Sequence, residues 1–155
     1  TALHGAELVA GWREAATPYP EALRLAMVRR YGQVEGLWRI EAFAARGNPL
    51  LAHRVLVDAL ERLLLVLLGL NRVYYTSLKA LAPVVAELEL APESLGERLA
   101  FCFPADGARS AAEAQRLAEE TYDLVEAELQ EVDVERLRRI LRYRRTEWEA
   151  QAPDA

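Results

Sequence analysis

The residues of this chain best placed to do chemistry are two cations gathered at one helix end. The segment Leu63–Leu81, LLLVLLGLNRVYYTSLKAL, carries an apolar run straight into Asn71 and Arg72. A Tyr74–Tyr75 pair, Thr76, Ser77 and then Lys79, the only lysine in the sequence, follow. Arg72 falls at the C-terminal end of the apolar helix, where a cation complements the negative end of the dipole. Lys79 is different. A new helix starts at Thr76 or Ser77, so Lys79 sits in its first turn, where a cation is mildly repelled and backbone N–H groups lack partners. A helix N-terminus beside a lysine suits a bound anion. Asn71 and Tyr74 or Tyr75 would add hydrogen bonds, or stack on a base or sugar-like ring. The plainer alternative is structural capping with a solvated lysine.

Other chemistry-bearing residues form no complete catalytic set. There is no Gly-rich phosphate loop, no Cys-x-x-Cys pair and no His-Glu-x-x-His motif. His4 and His53 lie far apart with no second ligand at helical spacing, which argues against zinc, and no metal ligands are assigned. Cys102, between Phe101 and Phe103, reads as a buried, inert thiol. Glu119, Asp123 and Glu126 share one helix face, with Glu120 and Glu128 nearby. Without a matching set on another helix they read as exposed surface rather than metal ligands. The run RLRRILRYRR, Arg136–Arg145, holds six arginines. An anion or nucleic-acid stripe is one reading. The favoured one is a solvated face balanced by Glu131, Glu135, Glu147 and Glu149, with Glu135–Arg139 as an i, i+4 pair.

Composition narrows the class. The chain has 155 residues, 52% of them apolar, and a net charge of −5. That suits one globular domain over residues 1–155 and argues against general nucleic-acid or anionic-membrane binding. A single cysteine excludes an internal disulfide and fits a cytoplasmic location. The run Leu63–Leu70 is far below the ~20 residues needed to span a bilayer. Eighteen arginines against one lysine point to a GC-rich genome. Thr1 opens the chain without a methionine, which points to a processed or excised piece of something longer.

The elements that must position these residues all read as helix; no alternating strand pattern occurs. Six to eight helices are expected, forming an all-α bundle. The first runs Ala2–Ala16. The second opens at Tyr19 with Pro20 in its first turn and ends at Gly32. The third covers about Gln33–Arg46, before Gly47-Asn48-Pro49. A long helix, Leu50 to about Tyr74, is apolar on all sides after Leu63 and should be the centre of the bundle. A helix from Thr76 or Ser77 to about Leu88 follows, with Pro83 at a kink or break. A short helix then holds Leu95, Leu99 and Phe103. Ser110 caps a long helix, and Asp133 caps a last one running to about Trp148.

The stretch LLGLNRVYYTSLKAL, Leu67–Leu81, resembles the helical C-terminal half of kanamycin nucleotidyltransferase-type enzymes. It is also similar to the helical domain of uncharacterised bacterial nucleotidyltransferases, where an apolar helix ends in an Asn-Arg-x-Tyr-like segment followed by a lysine. Leu3–Trp12, Tyr19–Val28 and the Pro-containing stretch after Leu90 extend the likeness in order and spacing of helices. The resemblance implies a two-domain, often dimeric enzyme. Its α/β domain carries a Gly-Ser turn and an Asp-x-Asp pair that hold two Mg²⁺ ions for transfer from a nucleoside triphosphate to a hydroxyl. This sequence has neither motif, so it corresponds to the nucleotide- and substrate-binding helical part alone, with a catalytic domain or subunit as partner. By position, Asn71, Arg72, Tyr74 and Lys79 would face nucleotide or acceptor. The family's glutamate base would fall at or before Thr1, leaving Glu7 as its nearest candidate. Two rivals stay open. One is a structural or dimerising helical module. The other is a small helical ribonuclease-like domain, whose Arg-x6-His pair would be Arg46 and His53, although Gly47-Asn48-Pro49 interrupts it.

Overall fold

A computed structural model of the chain describes residues 5–74, 79 and 81–144. Among these residues the fold is all-α, with eight helices and no strand. They are α1 (Ala6–Ala15), α2 (Glu21–Tyr31), α3 (Trp38–Ala45), α4 (Pro49–Leu70), α5 (Leu81–Ala86), α6 (Leu95–Phe101), α7 (Gly107–Glu128) and α8 (Val134–Arg142).

The apolar run places α4 at the centre, as expected. Asn48 caps it by accepting from the Leu51 N–H at 3.2 Å, and Pro49 occupies the first turn, where a missing N–H costs nothing. Every residue from Leu63 to Leu70 is buried, and α2, α3 and α7 pack around the helix. Gly69 sets how close α2 comes: a Cβ there would lie 2.8 Å from the Met27 Cβ. On the far side, Tyr122 of α7 is fully buried and its hydroxyl donates to the Gly32 carbonyl at 2.7 Å. It also accepts from the Val34 N–H at 3.4 Å, so one phenol fixes the segment between α2 and α3.

Several boundaries differ from the sequence expectation. The central helix stops at Leu70, not near Tyr74. Arg72 takes a left-handed φ of 56°. The Arg72 N–H bonds the Gly69 carbonyl at 3.1 Å and the Val73 N–H reaches the Leu68 carbonyl at 2.9 Å. This is the Schellman closure usually made with glycine. A non-glycine residue in that conformation costs roughly 1–2 kcal/mol. The Asn71 side chain reinforces the closure: its amide donates to the Leu67 and Leu90 carbonyls at 2.8 and 2.9 Å, and its oxygen accepts from the Leu90 N–H at 2.8 Å.

The third helix starts at Trp38 rather than Gln33, because Val34 and Leu37 enter the core and hold residues 32–37 as an irregular loop. Pro83 falls in the first turn of α5 and needs no kink. Asp106, not Ser110, caps α7, accepting from the Arg109 N–H at 2.9 Å. Ser110 is buried, its hydroxyl 2.6 Å from the Cys102 carbonyl. Asp133 caps α8 as anticipated, but the helix ends at Arg142, since Tyr143 is extended. The expected helix start at Thr76 or Ser77 lies outside the described residues.

Asn71→Ala should lower unfolding free energy by about 2 kcal/mol, because it strands the Leu90 N–H and carbonyl, while the Leu67 carbonyl keeps the backbone N–H of residue 71. Gly69→Ala should cost about 1–3 kcal/mol by forcing Met27 off α4. Urea denaturation of the two variants checks both values.

Candidate functional site

At the corner singled out from the sequence, the side chains are committed to holding the chain together. Three hydrogen bonds occupy Asn71. Arg72 Nε donates to Glu21 at 2.7 Å, tying the end of α4 to the start of α2. The Tyr74 hydroxyl donates to the Ala16 carbonyl at 3.0 Å, and its ring lies 4.8 Å from that of Tyr19. Lys79 is exposed, while Tyr75, Thr76 and Ser77 lie outside the described residues. Asn71, Arg72 and Tyr74 are therefore gathered at one place, where they join α4 to the α1–α2 connection and to Leu90.

The remaining sequence candidates scatter. Glu7 is exposed in the first turn of α1. Arg46 is exposed just after α3. His53, one turn into α4, has Nδ1 2.8 Å from the Pro49 carbonyl and its ring stacked on Phe103 at 6.5 Å. It lines a small apolar pit of about 180 Å³ with Ile40, Leu56 and Ser110, and Arg46 takes no part in that lining. Cys102 is fully buried, and its burial, with Glu113 nearby, pushes the thiol up to about 11. His4 lies outside the described residues. Among the described residues no group of His, Cys, Asp and Glu is arranged to hold a metal ion. The Mg²⁺ pair implied by the resemblance therefore finds no fitting ligands on these helices.

A site that the sequence reading passed over forms between α2, α3, α4 and α8. Two adjoining cavities share Gln33, Glu35 and Arg39. The first, of about 640 Å³, is walled by Trp38, Ile140 and Tyr143, with Arg136 and Arg139 at its edge. The second, of about 710 Å³, is walled by Arg29, Arg30, Arg54 and Arg62, with Phe43, Leu51, Val55 and Asp58. Each is of a size that holds a small organic ligand. Together they form one furrow with seven arginines and two carboxylates, on a chain whose net charge is −5.

The pairing of these arginines sets the furrow apart. Elsewhere most arginines meet carboxylates, Arg46 and Arg144 excepted among the described residues: Arg24 with Glu128 at 2.6 Å, Arg72 with Glu21, Arg98 with Glu113 and Glu120, Arg116 with Glu113, and Arg138 with Glu119, Asp123 and Glu126. In the furrow only Arg62 is paired, with Asp58 at 3.0 Å. Arg29, Arg30, Arg39, Arg54, Arg136 and Arg139 have no carboxylate within 4.0 Å among the described residues. Six guanidinium groups without acidic partners, beside an indole and a phenol, can bind phosphate oxygens in bidentate fashion and stack on a flat ring.

Backbone geometry prepares the furrow. Val34 is fully buried, and its neighbours Gln33 and Glu35 are exposed on the furrow side. Gly36, at φ 72°, lets the Arg39 guanidinium lie where a Cβ would otherwise sit. α8 is held by its other face. Arg138 reaches Glu119 at 2.7 Å and Asp123 at 2.7 Å, and Arg142 reaches Glu119 at 2.8 Å. Glu135 lies 3.6 Å from Arg138, so the expected Glu135–Arg139 pair does not form and Arg139 is left for the furrow. The arginine run thus divides: two members clamp α8 to α7, and two face the cavity. A charged stripe at Arg54, Asp58 and Arg62, spaced i, i+4, i+8 along the largely apolar α4, was the available sequence signal for the second wall.

In comparisons with known proteins, no protein-family model, curated protein or solved structure matches the chain. The nucleotidyltransferase resemblance thus rests on the residues around Leu67–Leu81.

The clamp predicts a pH dependence. Burial alone would raise the Glu119 carboxyl, but hydrogen bonds from Arg142 and Arg138 outweigh it and hold the group below its ordinary range. A carboxylate depressed in the folded state adds stability above its unfolded pKa, and that stability is lost as pH falls through the folded value. Denaturation midpoints should therefore drop below about pH 4, and Glu119→Gln should flatten that part of the profile.

Proposed function

We propose that this chain is a nucleotide-binding helical domain, playing the part that the helical domain plays in the nucleotidyltransferases it resembles. In this reading the nucleotide sits in the arginine furrow and not at the Asn71–Lys79 corner. The observation that carries the proposal is the segregation of arginines: six without acidic partners share one furrow, while those elsewhere in the bundle are largely neutralised by glutamate or aspartate. Clustered like charges repel, so such a surface gains most from an anion that several of them share. The furrow is also two-sided. Its aromatic arm suits a base, and its basic arm suits a phosphate chain. Transfer chemistry would need Mg²⁺ and a carboxylate pair supplied by a separate or missing α/β domain; among the described residues no group of three or more His, Cys, Asp or Glu is arranged to hold a metal ion. The lone buried cysteine accords with a reducing, cytoplasmic setting, and no helix among the described residues is long and apolar enough to cross a membrane.

A structural or dimerising role is the second reading, favoured by α1. Leu8 and Trp12 are 58% and 64% exposed one turn apart, an apolar stripe of the kind that seeks a partner.

Calorimetric titration with ATP and with pyrophosphate tests the first reading. Arg39→Ala and Arg136→Ala should each weaken ATP binding about tenfold, while Arg72→Ala and Lys79→Ala leave it within about twofold. The reverse pattern would return the site to the corner, and heatless titrations throughout would end the nucleotide reading. For the second, sedimentation equilibrium should show a dimer that Trp12→Glu dissociates; a monomer at all concentrations removes it.

A further inference from the structure

The two arms of the furrow meet at three residues, Gln33, Glu35 and Arg39, and one of them is an acid. Glu35 is exposed and stands among arginines, yet no arginine lies within salt-bridge distance of it among the described residues. Its one side-chain hydrogen bond is a long one, 3.5 Å from the Gln33 amide. It does not wander on a loose loop. Val34 beside it is fully buried, with its N–H on the Tyr122 hydroxyl, and Gly32 is held by the same phenol at 2.7 Å. A carboxylate carried on this anchored backbone into a phosphate-binding furrow repels the ligand's charge, a cost that is offset where the ligand brings hydrogen-bond donors to it.

We propose that Glu35 accepts hydrogen bonds from the ribose hydroxyls of the bound nucleotide, making the furrow selective for ribonucleotides over 2′-deoxyribonucleotides. The inference rests on the nucleotide reading above, and its ground is positional. In a nucleotide the sugar joins base to phosphate, and Glu35 stands where the aromatic arm joins the basic arm. A carboxylate offers two acceptor oxygens and no donor, the complement of a vicinal diol whose two O–H groups both donate. Hydrogen bonds to an ionised acceptor are roughly twice as strong as those between neutral groups.

Competition binding with ATP, 2′-deoxy-ATP and pyrophosphate, on the wild type and on Glu35→Gln, decides the matter. The wild type should prefer ATP over 2′-deoxy-ATP by about tenfold, the size expected for a hydrogen bond to a charged acceptor. Glu35→Gln should reduce that preference to about twofold while tightening pyrophosphate, because a repulsive charge has gone. The ratio is the informative readout: a carboxylate that only lowers the furrow's positive charge would shift all three ligands together and leave the ratio unchanged, which would overturn the assignment to Glu35. Equal wild-type affinities for ATP and 2′-deoxy-ATP would overturn ribose selection and leave the nucleotide reading standing. Failure of ATP to bind the wild type would overturn both. The side chain is exposed and outside the core, so circular dichroism of the variant should match the wild type.

Discussion

The second half of α4, Leu63–Leu70, is apolar on every side and has no face to give to water, and the rest of this bundle is arranged around that constraint. Each fully buried leucine contributes about 1.5–3 kcal/mol relative to exposure, so α4 recruits α2, α3 and α7 as a sheath. A sheathed rod must also be ended without leaving carbonyls orphaned in the core. Arg72 accepts an unfavourable backbone conformation to do so, and Asn71 spends its whole side chain bridging the helix end to Leu90. The polar tip that looks available on paper is consumed by its own architecture.

That outcome shows how one residue type does two jobs in this chain. Arginine serves as a cross-link where it meets buried or half-buried carboxylates: Arg24 ties α2 to the end of α7, Arg98 joins α6 to α7, and Arg138 joins α8 to α7. Glu113, only 8% exposed in its side chain, is bracketed by Arg98 and Arg116, which hold its carboxyl low against the burial that would raise it. Where the helices leave a furrow instead of a contact, six of its seven arginines stand without an acidic partner among the described residues. Function, on this view, is read from which charges the fold declines to neutralise.

The helical class and the identity of the central helix were legible because an apolar run flanked by Asn-Pro and Asn-Arg has few other solutions. The cap Asp133 was signalled by local chemistry alone, as was the break at Gly47-Asn48-Pro49 that precedes the central helix. Errors arose where tertiary contacts outweigh local ones. The segment 33–37 has helical-looking composition, yet Val34 and the Tyr122 hydroxyl pull it into a loop. Ser110 resembles a cap, yet Asp106 stands four residues earlier and is better placed. The furrow was hidden for a deeper reason: its arginines come from four helices, and whether any of them is balanced depends on neighbours up to a hundred residues away. The Glu135–Arg139 spacing was locally correct and still lost to Arg138, which sits among three more carboxylates on α7.

Cys102 offers a practical dividend. It is the single sulfhydryl of the sequence, shielded completely from solvent and with its ionisation pushed up to about 11, so almost none of it is nucleophilic near neutrality. The molecule is therefore silent toward maleimides and spin-label reagents while folded. A cysteine placed at any exposed position would be modified by itself, giving fluorescence or paramagnetic distances from chosen points without first removing the native thiol.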